Sequence, residues 1–173
     1  MRMNLHPLIV HFPIAFLTLY AVLELLRFRQ LTALSFWFHL KAVLVILGTI
    51  SAIVALQTGE LIEDMFRGTD LQSVLDYHSA LANAATDVFA FLALCYIVRW
   101  ADMEGIEKRM PTRLSRLWKG LLRISMATLG TFFAPLIALI GLILMVFVGA
   151  LGAVMVYGPD VDPAVRIIYN LLF

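Results

Sequence analysis

The stretch HPLIVHFPIAFLTLYAVLELLRFR, residues 6–29, decides how the rest of the chain is read. Residues 8–26 are almost uninterruptedly apolar, and about 20 such residues wound as a helix reach about 30 Å, the thickness of a bilayer's hydrocarbon core. Arg27 and Arg29 follow at once and no A-x-A cleavage site does, so the segment is expected to be a retained span and not a cleaved signal peptide. Two histidines and two prolines form its head, HPLIVHFP. Pro7 suits a first helical turn, but Pro13 clashes with the carbonyl of Ile9 if the helix is already regular there, so the entry is expected to be irregular. In a straight helix His6 and His11 point about 140° apart. A bent entry either brings both rings inward or leaves one at the surface.

Three more apolar runs follow, at residues 42–62, 79–98 and 124–157. The last is too long for one crossing and too short for two with a turn. It predicts one tilted or Pro135-kinked helix whose start lies along the interface, with Gly141, Gly149 and Gly152 suited to close helix contact. Composition agrees, since 62% of the 173 residues are hydrophobic and 14% charged, too few to cover a soluble surface. The mean hydropathy is +0.92. The expected fold is therefore all-α, an integral membrane four-helix bundle forming a single domain over residues 1–173. Residues 100–123 are expected as a basic loop and 163–173 as an interfacial tail. No separate soluble catalytic domain fits, and any enzymatic role is undecided. A formal net charge of +1 without a basic, aromatic-interleaved face argues against nucleic acid. The single Cys95 excludes an internal disulfide and a thiolate metal site, and it reads as a packing residue.

Basic residues set an orientation. Arg27, Arg29, Lys41, Arg99, Lys108, Arg109, Arg113, Arg116, Lys119 and Arg123 gather at one end of the spans, against Arg2, Arg67 and Arg166 at the other, ten against three. The positive-inside bias then puts the basic end in the cytoplasm and both termini outside, in the inner membrane of a bacterium. Glu60, Glu63, Asp64, Asp70, Asp76, Asp160 and Asp162 fall at the outer end. Trp37, Trp100 and Trp118 fall at the inner boundary, where an aromatic belt anchors a bundle.

In this arrangement His6, His11 and His78 meet at the outer end, while His39 sits beside Lys41 at the inner interface, where an amphipathic ring has an ordinary place. Ionisable groups inside a membrane bundle mark function by default. Ala15 lies one turn below His11 and Ala82 one turn below His78, which leaves room for a flat macrocycle between the first and third spans. Haem b with His11 and His78 as axial ligands is the sharp expectation, His6 being a secondary ligand or outside the ligand set. The chain has no C-x-x-C-H for covalent haem attachment. The alternative is a zinc, copper or iron ion held by His6, His11, His78 and Glu60. The cluster Gln57, Thr58, Gly59, Glu60, Glu63 and Asp64 is placed to accept the second N–H of ligand imidazoles, or else is a solvated helix end. Asn83 and Asp87, four apart on one face, are expected within the bundle as an interhelical clamp or a proton relay.

The HPLIVHFP unit heading the first span, the Thr58–Gly59 pair ending the second with acids after it, His78 opening the third and GAVMVYGPDV closing the fourth resemble a bacterial family of small four-helix membrane proteins, domain-of-unknown-function family twenty-two thirty-one. The resemblance covers most of the chain and implies a four-helix membrane fold with no assigned activity. The chain departs from it after Tyr157, at Gly158, Pro159 and Asp160, and in the longer basic segment after Trp100. The functional expectation is a haem b electron-transfer subunit of a larger membrane redox complex, partnered by other membrane subunits and by a quinol or a periplasmic cytochrome. A metal-ion-binding membrane protein and a cofactor-free structural subunit are the alternatives.

Overall fold

A computed structural model describes residues 5–173, so Arg2 of the charge tally lies outside the described part. The described chain is helical throughout, without strands, and four of its helical segments are long and apolar enough to cross a membrane. The first span, His6–Leu25, consists of α1 (His6–Ile9) and α2 (His11–Leu25). They are separated only at Val10, which keeps helical dihedrals of φ −60° and ψ −22°. The interruption falls where Pro13 has no N–H to offer the Ile9 carbonyl, and it remains slight because one lost bond leaves the surrounding turns in register.

A short turn of helix, α3 (Arg29–Thr32), leads to the second span, α4 (Trp37–Glu60), which starts five residues before the expected boundary at 42. The third, α5 (Gln72–Met103), has 32 residues. At 1.5 Å per residue it is about 48 Å long and overshoots a hydrocarbon core of about 30 Å. The run 79–98 is thus its apolar middle, with polar turns continuing beyond. Gly105 ends it in the left-handed region at φ 71°, a conformation that only glycine adopts without steric cost.

The single kinked fourth helix is replaced by two. α6 (Thr112–Leu129) and α7 (Phe133–Tyr157) are broken at residues 130–132. Pro135 is the third residue of α7, where an N–H has no intrahelical partner to lose, so it opens a helix instead of bending one. The segment 100–123 is correspondingly not a loop. It comprises the end of α5, a 3-10 turn at Ile106–Arg109 and much of α6. The tail is α8 (Pro163–Leu172), started by the Asp162 carboxylate, which accepts from the Ala164 N–H at 2.7 Å, with proline at the first position.

α2 packs on α4, α4 on α5, α5 on α7 and α7 on α2, closing the four spans into a ring. Inside it lie Leu17, Tyr20 and Ala21 of α2, Ala42 and Val45 of α4, Phe89, Leu92 and Tyr96 of α5, and Ala134 and Ala138 of α7. Tyr20 meets Phe89 and Tyr96 edge-on, with centroids 6.2 and 5.8 Å away. Small residues set the spacing: a Cβ on Gly141 would lie 2.7 Å from Phe89 Cζ, and one on Gly48 would collide with Leu17. The outward positions are themselves large and apolar, among them Leu19, Ile50, Ile53, Leu94, Ile97, Ile143 and Val146. An apolar exterior around an apolar core is the pattern lipid demands. α8 caps one end, with Val165, Tyr169 and Leu172 packed on Val74, Leu151 and Val154.

Candidate functional site

The structure places His6 and His78 at the same end of the bundle, where α1 begins. The His6 ring lies over the last turn of α4, its Nδ1 3.1 Å from Thr58 Oγ1. Thr58 donates its own proton to the Ala55 carbonyl at 2.9 Å, so its oxygen accepts and His6 Nδ1 carries the hydrogen. His78 is fixed in the same way from the opposite wall, with Nδ1 3.0 Å from the Val148 carbonyl of α7. A carbonyl only accepts, so this Nδ1 is also protonated and the lone pair sits on Nε2.

Two glycines admit the rings. A Cβ on Gly59 would stand 3.2 Å from His6 Cε1, and one on Gly152 would stand 3.4 Å from His78 Cε1. Thr58–Gly59 thus works as a unit, the hydroxyl orienting the imidazole and the missing side chain making room for it. On α7, Gly152 lies one turn after Val148 and uncovers the carbonyl that His78 reaches.

His11 does not join this pair. It is exposed at the start of α2, because the nearly regular backbone at Val10 preserves the wide angular separation of positions 6 and 11. Glu60 is exposed as well. Of the acids after Gly59, Glu63 accepts from Ser79 at 3.3 Å and approaches Arg67, and Asp64 also approaches Arg67. Among the described residues, no three His, Cys, Asp or Glu side chains assemble as a metal-holding group. Asn83 and Asp87 do share a face, but it is the outer one. Both are exposed, and Asn83 donates to the Ser79 carbonyl of its own helix at 2.8 Å. His39 rests edge-on against Trp100, with centroids 5.1 Å apart, as an interfacial ring would.

A second polar cluster, absent from the sequence reading, occupies the basic end. Glu24 is fully buried at 0% exposure. Lys41 Nζ reaches its Oε2 at 2.8 Å, Arg27 Nη2 its Oε1 at 3.1 Å, and the Tyr96 hydroxyl its Oε2 at 2.7 Å. The Lys41 ammonium also lies 5.7 Å above the centre of the Tyr96 ring. One carboxylate therefore ties α2 to α4 and α5. A deprotonated carboxylate accepts all of these bonds, and two cations offset its burial. The available signal is one acid, Glu24, inside an otherwise apolar run.

No curated protein and no solved structure matches this chain. The model of one family, described as "Predicted membrane protein (DUF2231)", matches residues 2–163, nearly the whole sequence. With four apolar spans, the HPLIVHFP entry and that match along its length, the chain belongs to this family of membrane proteins.

Proposed function

We propose that the chain is a membrane-embedded electron-transfer subunit that holds haem b through His6 and His78 near the outer face of a bacterial inner membrane. The observation that carries the reading is that two imidazoles from separate spans lie at one end of the bundle, His6 anchored through Nδ1 by an acceptor of the second span and His78 by one of the fourth. That is the support metal-bound histidines ordinarily have: the hydrogen bond on one nitrogen fixes the tautomer and aims the other. Haem iron with two neutral imidazoles supplies one-electron transfer without bond chemistry. Thr58 and the Val148 carbonyl hold the protons on Nδ1, and Gly59 and Gly152 set the positions of the rings. The electron partners are a quinol or a periplasmic cytochrome, delivered within a complex of membrane subunits. A zinc, copper or iron ion on the same pair would need further ligands from outside it.

The fit of the rings against Gly59 and Gly152 favours a second reading. There the pair is a hydrogen-bonded clamp among α1, α4, α5 and α7 in a cofactor-free structural subunit. An absorption spectrum of the full-length protein purified from haem-replete cells separates the two. A Soret band that disappears in His6→Ala and in His78→Ala, and persists in His11→Ala and His39→Ala, is the expected result. Bound metal without that band points to an ion site, and neither signal points to the clamp.

A further inference from the structure

Helix α6 has three faces, only one of which is covered. Ser115, Trp118, Leu122, Ser125 and Leu129 recur at intervals of three and four, are buried or half-buried, and turn toward the bundle, where α6 packs chiefly on α5. Leu114, Leu117, Leu121 and Ile124 form the adjacent stripe, about 100° away by helical geometry. They remain exposed, Leu117 to 67%. Arg113, Arg116, Lys119 and Arg123 occupy the remaining arc and are also exposed.

The connections fix where this helix lies. Its start follows the end of α5, and its end leads within four residues into α7, so it is attached to the same end of the bundle twice. Arg27, at the basic end of α2, extends its guanidinium toward the Leu129 carbonyl at 3.5 Å. α6 therefore sits at the basic end of the spans, with its uncovered leucines and its arginines side by side. Lys119 is partly neutralised by Glu107 at 3.4 Å, whereas Arg113, Arg116 and Arg123 have no ion pair among the described residues.

We infer that α6 is a docking surface for anionic phospholipid, its Leu114–Leu117–Leu121–Ile124 stripe set among acyl chains and its arginines on the headgroups of that leaflet. An unpartnered apolar stripe alone would accept any apolar cover. The unpaired arginines alongside it select a negatively charged surface that is apolar beneath, which an acidic leaflet is. The surface is distinct from the histidine pair, which lies at the opposite end of the spans, and it does not depend on a cofactor.

The test is hydrogen–deuterium exchange of residues 112–124 in the full-length protein, reconstituted at one copy per nanodisc in phosphatidylcholine alone or with phosphatidylglycerol added. Each basic residue near an anionic surface contributes a factor of about five, so three arginines should slow exchange at least about tenfold in the phosphatidylglycerol discs. The combined R113Q, R116Q and R123Q variant should lose that difference. Because those side chains are exposed, its unchanged protection in α5 and α7 checks that it still folds. Molar salt should remove most of the difference from the unmodified protein, which tests the same point without substitution. Equal exchange in both lipids would overturn the inference, as would a difference that survives the substitutions. Protection that appears in phosphatidylcholine only when two copies share a disc would assign the stripe to a second copy and overturn it equally.

Discussion

Glu24 shows how much one side chain can carry in this bundle. It is the point where α2, α4 and α5 are joined, by the Lys41 ammonium and the Tyr96 hydroxyl, and breaking a buried pair by removing one partner costs about 3–5 kcal/mol, an upper bound here because Arg27 stays beside Glu24. Lys41→Met should therefore destabilise the protein strongly. Glu24→Gln with Lys41→Met together should cost clearly less than the two single effects added, because neither charge is then stranded. Thermal unfolding in detergent, run as a double-mutant cycle, measures this coupling; strict additivity would mean that the pair does not interact. Asp87 is the opposite case. Midway along α5 and on its outward face, it has no hydrogen bond or ion pair among the described residues, so Asp87→Leu replaces an unpaired acid on a lipid-facing surface and should leave the stability unchanged or raise it. A loss of several kcal/mol would place it inside the bundle, where the sequence alone suggested it belonged. The sequence showed that Asp87 is polar at mid-span, but not on which side of α5 it falls. That side is set by the packing of α4 and α7 on the helix, which no local pattern encodes.

At the scale of elements, three spans were legible because length and apolarity alone define them, and lipid allows the chain little besides helices. Their ends were less so. α4 and α5 extend past their apolar middles, since helical hydrogen bonding continues into the interface after the hydrophobic signal has ended. The break between α6 and α7 is hidden in the sequence because Gly130, Thr131 and Phe132 form a turn without a charged or proline-rich marker, and because a proline inside an apolar run predicts a kink as readily as a helix start. Contacts between elements lead to a sharper expectation. Gly141→Ala forces a methyl group against the Phe89 ring and should destabilise by about 1–3 kcal/mol, as overpacked cores do. Gly149→Ala, in open space on the same helix, should be neutral or slightly stabilising, alanine being the better helix former. Comparing the two unfolding temperatures separates close packing from helix propensity; equal shifts would show that α5 and α7 do not meet at Gly141.

For the whole molecule, the two ends of the bundle differ in chemistry. One holds the histidine pair and the acidic turn after α4, and the other holds the Glu24 cluster, α6 and most of the arginines. That His6 and His78 lie at one end was legible, since HPLIVHFP and His78 start spans that run in the same direction from the same face. The partner was not, because His6 and His11 are separated by a bend whose size depends on how much helix survives beside Pro13. The charge asymmetry predicts an orientation: a cysteine placed near Asp70 should react with an impermeant reagent from outside, and one near Gly105 should not. The reverse pattern would move the histidine pair to the cytoplasmic side.

The electron paramagnetic resonance spectrum of the oxidised, purified full-length protein bears most directly on the central claim, that His6 and His78 hold a haem between them. Two imidazoles on one iron give a low-spin ferric signal, which should be present in the unmodified protein and in His11→Ala and be lost or converted to high spin in His6→Ala and in His78→Ala. A protein that purifies from haem-replete cells with no ferric haem signal, or one whose low-spin signal survives His6→Ala, would contradict it.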